Sequence, residues 1–266
     1  MKEMSFEEVK KTELDILIDI ADFCDKNEVT YFLAYGTLIG AVRHNGFIPW
    51  DDDIDIWMPR KDYDKFINTY KGNNDRYRVI SPYEKIARHS MAKVIDTKTA
   101  KIEDGIDYRN GYLGVDVDVF PLDGEPDDDD EFLKWYKRLY KCYQNYNYFI
   151  VSSKSSKRNF VFSFFFKLLK MKKANVLSKA IKLHELYPYE KSQFVGSIEC
   201  VSNCPKNRFS KEWFSESINA NFEDRKFKIP IGYDKILTQM YGDYMKLPPK
   251  DKQVTHHANN NFWLED

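Results

Sequence analysis

The chain has 266 residues, 42% of them hydrophobic and 31% charged, with 41 basic residues against 42 acidic for a net charge of −1. That length suits one large domain or one domain with an attached helical part, and the balanced charge with no long basic tail excludes a nucleic-acid binder of the electrostatic kind. No stretch reaches the roughly 20 apolar residues that span a bilayer, and the opening MKEMSFEE lacks an apolar signal region, so the expected setting is the cytoplasm.

Ser5 and Glu8 form a capping-box pair, and Val9, Leu14, Leu17, Ala21 and Cys24 follow at helical spacing, which predicts a helix to about Asn27. A strand over Val29–Ala34 then delivers Gly36, and Thr37–His44 reads as a short helix whose free N–H groups suit an anion. A strand is expected over Asp53–Trp57. Pro59 opens a helix with Tyr63, Phe66, Ile67 and Tyr70 on one side. Shorter strands fit Tyr77–Ile80 and Met91–Ile95, and strict alternation predicts another over Gly114–Phe120.

From Asp127 the period becomes helical. The acidic run Asp127–Glu131 precedes Phe132, Trp135, Leu139 and Tyr143, and negative charge at a helix start is structural in origin. Further helices are expected over Phe160–Met171 and Ala174–Leu186, then a hairpin around Phe222–Ile229 and a last helix, Tyr233–Tyr241, ended by Gly242. The aromatic run Phe160–Met171 is bracketed by cations, so it fits either a helix in the membrane interface or a buried helix with a basic end. The first alternative implies peripheral contact at the inner face of the membrane. Four scattered cysteines, Cys24, Cys142, Cys200 and Cys204, show no secreted framework; the Cys200–Cys204 pair alone is a weak zinc signal, and buried thiols are the plainer reading.

The chemistry concentrates in WDDDIDI, residues 50–56. Alternate strand side chains share a face, so Asp53 and Asp55 point together while Ile54 and Ile56 enter the core. Two such carboxylates repel unless protonated or bridged by a cation, and oxygen ligands on a fixed strand suit Mg²⁺ or Mn²⁺. Asp51 and Asp52 follow Pro49 in a loop, where aspartates commonly serve turns. An EF-hand is excluded because Ile56 stands where that loop needs glycine. A second alternating strand offers Asp116 and Asp118 on one face, and either can be the third carboxylate. Gly36 and Thr37 supply a backbone that approaches phosphate closely, with Arg43 and Lys93 as cations to clamp it. Each cation has a surface alternative, since Arg and Lys are usually exposed.

GTLIGAVRH at residues 36–44, followed by GFIPWDDDIDI at 46–56, resembles the signature of the LicD family, the phosphocholine transferases related to fukutin and fukutin-related protein. DVFPLD at 118–123 is similar to the family's second acidic strand, and YGDYMKLPP at 241–249 with His256 to its C-terminal end. The resemblance implies an α+β fold of the polymerase-beta nucleotidyltransferase type, a mixed sheet flanked by helices in a single domain over 1–266, with a largely helical insertion at about 127–190. It implies Asp53, Asp55 and Asp118 as catalytic and metal-binding residues, with Gly36, Thr37, Arg43 and Lys93 around the donor. The implied reaction is transfer of a phospho-alcohol, typically phosphocholine from CDP-choline or another CDP-alcohol, to a glycan or lipid-linked glycan such as teichoic acid, capsule or lipopolysaccharide. Choline's ammonium needs an aromatic cage, for which Tyr35, Trp50 and Trp57 are candidates.

Two other functions compete. Asp51–Asp53 and Asp53–Asp55 both satisfy the Asp-x-Asp motif of nucleotide-sugar glycosyltransferases, although that class usually places a nucleotide-binding unit ahead of the motif. A glycan-binding protein without turnover would not require acids and phosphate turn together.

Overall fold

The computed structural model describes residues 1–72, 76–84, 89–102, 114–152, 173–197, 206–255 and 260–264. The expected helix over Phe160–Met171, the Cys200–Cys204 pair and His256 lie outside them. The chain divides into two compact units, Met1–Leu122 with Lys211–Asp266, and Asp123–Ser210; the resemblance implied a single domain over 1–266 with a largely helical insertion at about 127–190.

The first unit opens with β1 (Lys2–Glu3) and α1 (Phe6–Lys26). The Ser5 hydroxyl accepts the Glu8 N–H at 3.2 Å while the Glu8 carboxylate accepts the Ser5 N–H at 2.8 Å, so both free donors at the helix start are satisfied. One stripe of α1, including Ile16, Leu17, Ile20 and Cys24, is buried. β2 is confined to Phe32–Leu33, shorter than its apolar run suggests. α2 then starts two residues early, at Tyr35–Ile39, and its last turn widens into a π-helical segment, Gly40–His44.

β3 (Ile54–Pro59) begins one residue after Asp53 and includes Pro59, which therefore ends a strand immediately before α3 (Arg60–Thr69). β4 (Tyr77–Ile80), β5 (Ala92–Asp96), β6 (Thr99–Ile102) and β7 (Asp116–Glu125) follow. The main sheet runs β2-β3-β7-β5-β4 and is mixed: β3 and β7 are parallel, and the other pairs are antiparallel. Trp57, Tyr63 and Phe66 are fully buried beneath it. Tyr35 and Phe214 both meet Trp57 edge-on, at centroid distances of 4.7 and 5.8 Å.

The second unit contains α4 (Asp129–Ser152) and α5 (Lys173–His184), which bury Phe132, Trp135, Leu139 and Cys142 with Ala180 and Ile181. Asp128 accepts the Glu131 N–H at 2.9 Å, and Asp127 accepts that of Gln193 at 2.7 Å, so these acids serve as caps and loop anchors. β8 (Phe194–Ser197) pairs with β7 and with β9 (Phe209–Ser210). Back in the first unit, β10 (Ser217–Phe222) and β11 (Arg225–Pro230) form the expected hairpin, and α6 (Tyr233–Tyr241) ends at Gly242, whose φ is +71°. β12 (Asn260–Trp263) joins β1 and β6 in a small antiparallel sheet that strand patterning alone did not suggest. Among the described residues no helix is long and apolar enough to cross a membrane, and Cys24 and Cys142 are free and buried.

Candidate functional site

Sheet register assembles the site. Asp55 lies opposite Asp118 across β3–β7, and Lys93 lies opposite Asp118 across β5–β7, so the three residues form one transverse row over three strands. Asp116, two residues before Asp118, shares its face. Asp53 immediately precedes β3.

The two β7 acids differ in how their oxygens are used. Asp116 gives Oδ2 to the Lys93 ammonium and Oδ1 to Lys101 at 2.8 Å, so both oxygens are committed. Asp118 gives Oδ1 to Lys93, and no hydrogen bond to Oδ2 occurs among the described residues. Its side chain is 20% exposed against 5% for Asp116. The sequence left Asp116 and Asp118 as equals; the lysine pairing separates them. Lys93, expected as a phosphate clamp, is a buried cation between two carboxylates.

The electrostatics follow from burial and from this pairing. Burial lowers the Lys93 pKa, but Asp116 and Asp118 outweigh it and hold the ammonium well above its usual range. Asp116 is also pushed up by burial, yet Lys101 and Lys93 carry it far below an ordinary carboxylate. At Asp118 burial prevails over Lys93, and the carboxyl is pushed up to about 7. Asp55 is raised well above its usual value by burial first, then by Asp53, Asp118 and Asp51, with Lys93 opposing. Repulsion from the neighbouring acids therefore adds to burial at Asp55.

The Thr37 hydroxyl accepts the Asp55 backbone N–H at 2.9 Å, which ties the start of α2 to the acid strand. A Cβ on Gly36 would stand 2.5 Å from Asp51 Oδ2, so a larger residue there would displace the Asp51 side chain. Asp51 thus packs against the glycine turn, a proximity that its loop setting did not reveal. Two braces fix the loop ahead of the acids. Lys10 donates to the carbonyls of Ile48 and Pro49 at 3.5 and 3.3 Å, and Glu223 at the hairpin tip accepts the Phe47 N–H at 2.9 Å while donating its own N–H to Asn45 O at 2.8 Å.

Arg43 Nε donates to His44 Nε2 at 2.9 Å and its Nη1 to Tyr244 O at 2.6 Å. Burial lowers its pKa, no carboxylate faces it among the described residues, and it is thus a cation in need of an anion. His44 is lowered by burial and by Arg43, consistent with a neutral ring that accepts. Of the three aromatics considered for a cation cage, Tyr35 and Trp57 are 8% and 0% exposed and belong to the core, whereas Trp50 is half-buried beside His44.

Among the described residues no three His, Cys, Asp or Glu side chains already converge to hold a metal ion. The donor set nevertheless fits Mg²⁺ or Mn²⁺. Mg²⁺ is commonly held by one or two carboxylates together with substrate phosphates and water, so a complete protein cage is unnecessary. The raised carboxyl of Asp55 marks the negative charge that a divalent ion would relieve.

A family model described as LicD/FKTN/FKRP, nucleotidyltransferase domain, matches residues 28–137. The chain is 32% identical over 282 residues to the lipopolysaccharide cholinephosphotransferase LicD of Haemophilus influenzae, an alignment covering 99% of this chain and 100% of that one. Shorter likenesses connect it to uncharacterized proteins of Rickettsia prowazekii, 38% identical over 68 residues, and Rickettsia typhi, 45% over 47. These cover 22% and 18% of this chain, and 26% and 15% of the respective relatives.

Proposed function

The chain belongs to the LicD family, and from that membership we propose that it transfers phosphocholine from CDP-choline to a hydroxyl of a cell-surface glycan, releasing CMP. It is accordingly a phosphotransferase, and the description of the matched family model supports a nucleotidyltransferase-type fold. The observation that carries the chemistry is the row of Asp55, Asp118 and Lys93 beside a glycine–threonine turn.

In this reading the acceptor oxygen attacks the phosphocholine phosphorus, the bond from that phosphorus to the CMP oxygen breaks, and CMP leaves with the electron pair. Asp53 and Asp55 would hold Mg²⁺ or Mn²⁺, which when bound would supply charge neutralisation for the donor diphosphate. Gly36 and Thr37 present α2 backbone N–H groups to the phosphates, and Arg43 supplies the unmatched cation. Asp118, with Oδ2 uncommitted, is the carboxylate available to take the acceptor hydroxyl's proton. Trp50, next to Asp51, is the aromatic face offered to choline's ammonium. Teichoic acid, capsule and lipopolysaccharide are the acceptor classes, reached from the cytoplasmic face of a membrane on a lipid-linked glycan.

Incubation with CDP-choline, CDP-glycerol, CDP-ribitol and UDP-sugars in Mg²⁺, followed by measurement of released nucleotide, tests the reading. CMP released fastest from CDP-choline supports it. Preference for CDP-glycerol overturns the choline assignment, and turnover of a UDP-sugar alone makes the protein a glycosyltransferase.

A further inference from the structure

We propose that His44 is the positioning residue for the donor's diphosphate: as a neutral ring protonated at Nδ1, it accepts a hydrogen bond from Arg43 and holds the guanidinium in place for the anion. The inference rests on the reading of Arg43 as the cation that meets the donor. Both residues close the π-helical segment Gly40–His44, and the chain turns away at Asn45, whose φ is +56°. Successive side chains of a helix do not face each other, so a bond between these two is not a by-product of helical geometry. Arg43 Nε donates to His44 Nε2 at 2.9 Å, and Nη1 donates to Tyr244 O at 2.6 Å. A guanidinium only donates, so Nε2 must present a lone pair, and the ring proton belongs on Nδ1.

Both acceptors are neutral, and this decides what the arrangement is for. A carboxylate in place of His44 would orient the guanidinium equally well but would cancel its charge. Here the side chain is oriented and its charge is kept, while Nη2 makes no hydrogen bond among the described residues. The second acceptor is itself anchored: Tyr244 is 9% exposed, and its hydroxyl donates to Asp234 Oδ1 at 2.6 Å. Nothing around the ring favours its protonation. The ring of Trp50 lies 6.5 Å away, strand β10 beside the segment carries no ionisable side chain, and no carboxylate pairs with His44 among the described residues. Burial and then the Arg43 charge both oppose a proton there. His44 touches Arg43 rather than the reacting atoms and acts through it.

Two measurements on the full-length protein test this. Long-range ¹H–¹⁵N spectra of the histidine rings, with His44 assigned by its loss in His44→Gln, should show a neutral ring protonated at Nδ1 at pH 7.5; a charged ring, or one protonated at Nε2, overturns the inference. Calorimetric titration with inorganic pyrophosphate in Mg²⁺ reads the grip on the anion without any alcohol or nucleotide. His44→Leu, which has no acceptor, should bind pyrophosphate roughly tenfold more weakly, the scale of one hydrogen bond to a charged group. His44→Gln offers an amide oxygen in place of Nε2 and should restore most of that loss. A folded His44→Leu protein that binds like the parent overturns the inference, as does a Gln variant no better than Leu. If His44→Leu fails to fold, the protonation of the ring still decides. Arg43→Gln separates the two readings: unchanged pyrophosphate binding there removes the phosphate role given to Arg43, whereas weakened binding there with none in His44→Leu sinks this inference alone.

Discussion

The hydroxyl of Thr37 accepts the backbone N–H of Asp55 at 2.9 Å, across 18 residues of sequence. The glycine–threonine turn and the acid strand are thereby held by one bond, and Thr37 is only 3% exposed. Thr37→Val should cost about 1–3 kcal/mol, the usual penalty for stranding a buried donor, and should lower CMP release as Asp55 shifts. Thr37→Ser should restore both. Urea unfolding beside a turnover assay checks this; a Val variant as stable and active as the parent would show that the bond is dispensable.

The unequal pairing of the β7 acids makes Asp116 and Asp118 separable by mutation. Asp118→Asn should keep the fold and reduce turnover on the order of 10²-fold or more, as removal of a preorganised charge does. Asp116→Asn leaves two buried ammonium groups short of a carboxylate and should cost about 3–5 kcal/mol of stability. Melting temperatures measured with initial rates distinguish them. Loss of activity without loss of stability in the Asp116 variant would exchange the two roles.

Glu125 in the second unit predicts a pH effect on stability. It is 5% exposed, Oε2 has no hydrogen-bond partner among the described residues, and burial, opposed by Arg208 and assisted by Asp123, pushes the carboxyl up to about 8 from an ordinary 4.5. Between those values the folded chain keeps a proton that the unfolded chain has released. Stability should therefore fall as pH rises from about 4.5 to 8, by at most about 1.4 kcal/mol per unit, and level off above. Glu125→Gln should flatten the dependence, as read from urea midpoints at pH 5 to 9. Parallel profiles for the two proteins would contradict it.

The aromatic, lysine-flanked run Phe160–Met171 predicts salt-sensitive binding to anionic vesicles, through apolar insertion and attraction of cations to head groups. Sedimentation with vesicles should carry the protein down at low salt and release it as salt rises. Replacing Phe164, Phe165 and Phe166 by Ser should abolish the effect; absence of binding in the unaltered protein would leave the run without a membrane role.

Local patterns announced themselves in the sequence, and contacts between distant strands did not. The alternation around Asp53–Ile56 and Val115–Val119 identifies β3 and β7 because period two is a property of each strand alone. The capping box of Ser5 and Glu8 is equally local. That Lys93 would face Asp118 depends on the order β3-β7-β5, which no short window encodes. Lys101, Lys10 and Glu223 escaped for the same reason: each acts on residues 15 to 176 positions away. The cage candidates Tyr35 and Trp57 were visible as aromatics, but only packing shows that they fill the core.

The braces on the loop from Asn45 to Pro49 bear on how the chain can be divided. The segment that the family model matches, residues 28–137, begins after Lys10 and ends before Glu223. Cut out alone, it would hold Asp51 to Asp55 on a loop whose carbonyls at Ile48 and Pro49 and amide at Phe47 have lost their partners. Chimeras that exchange this segment between relatives must therefore carry α1 and the β10–β11 hairpin with it; the part matched by the family model is smaller than the part that gives it shape.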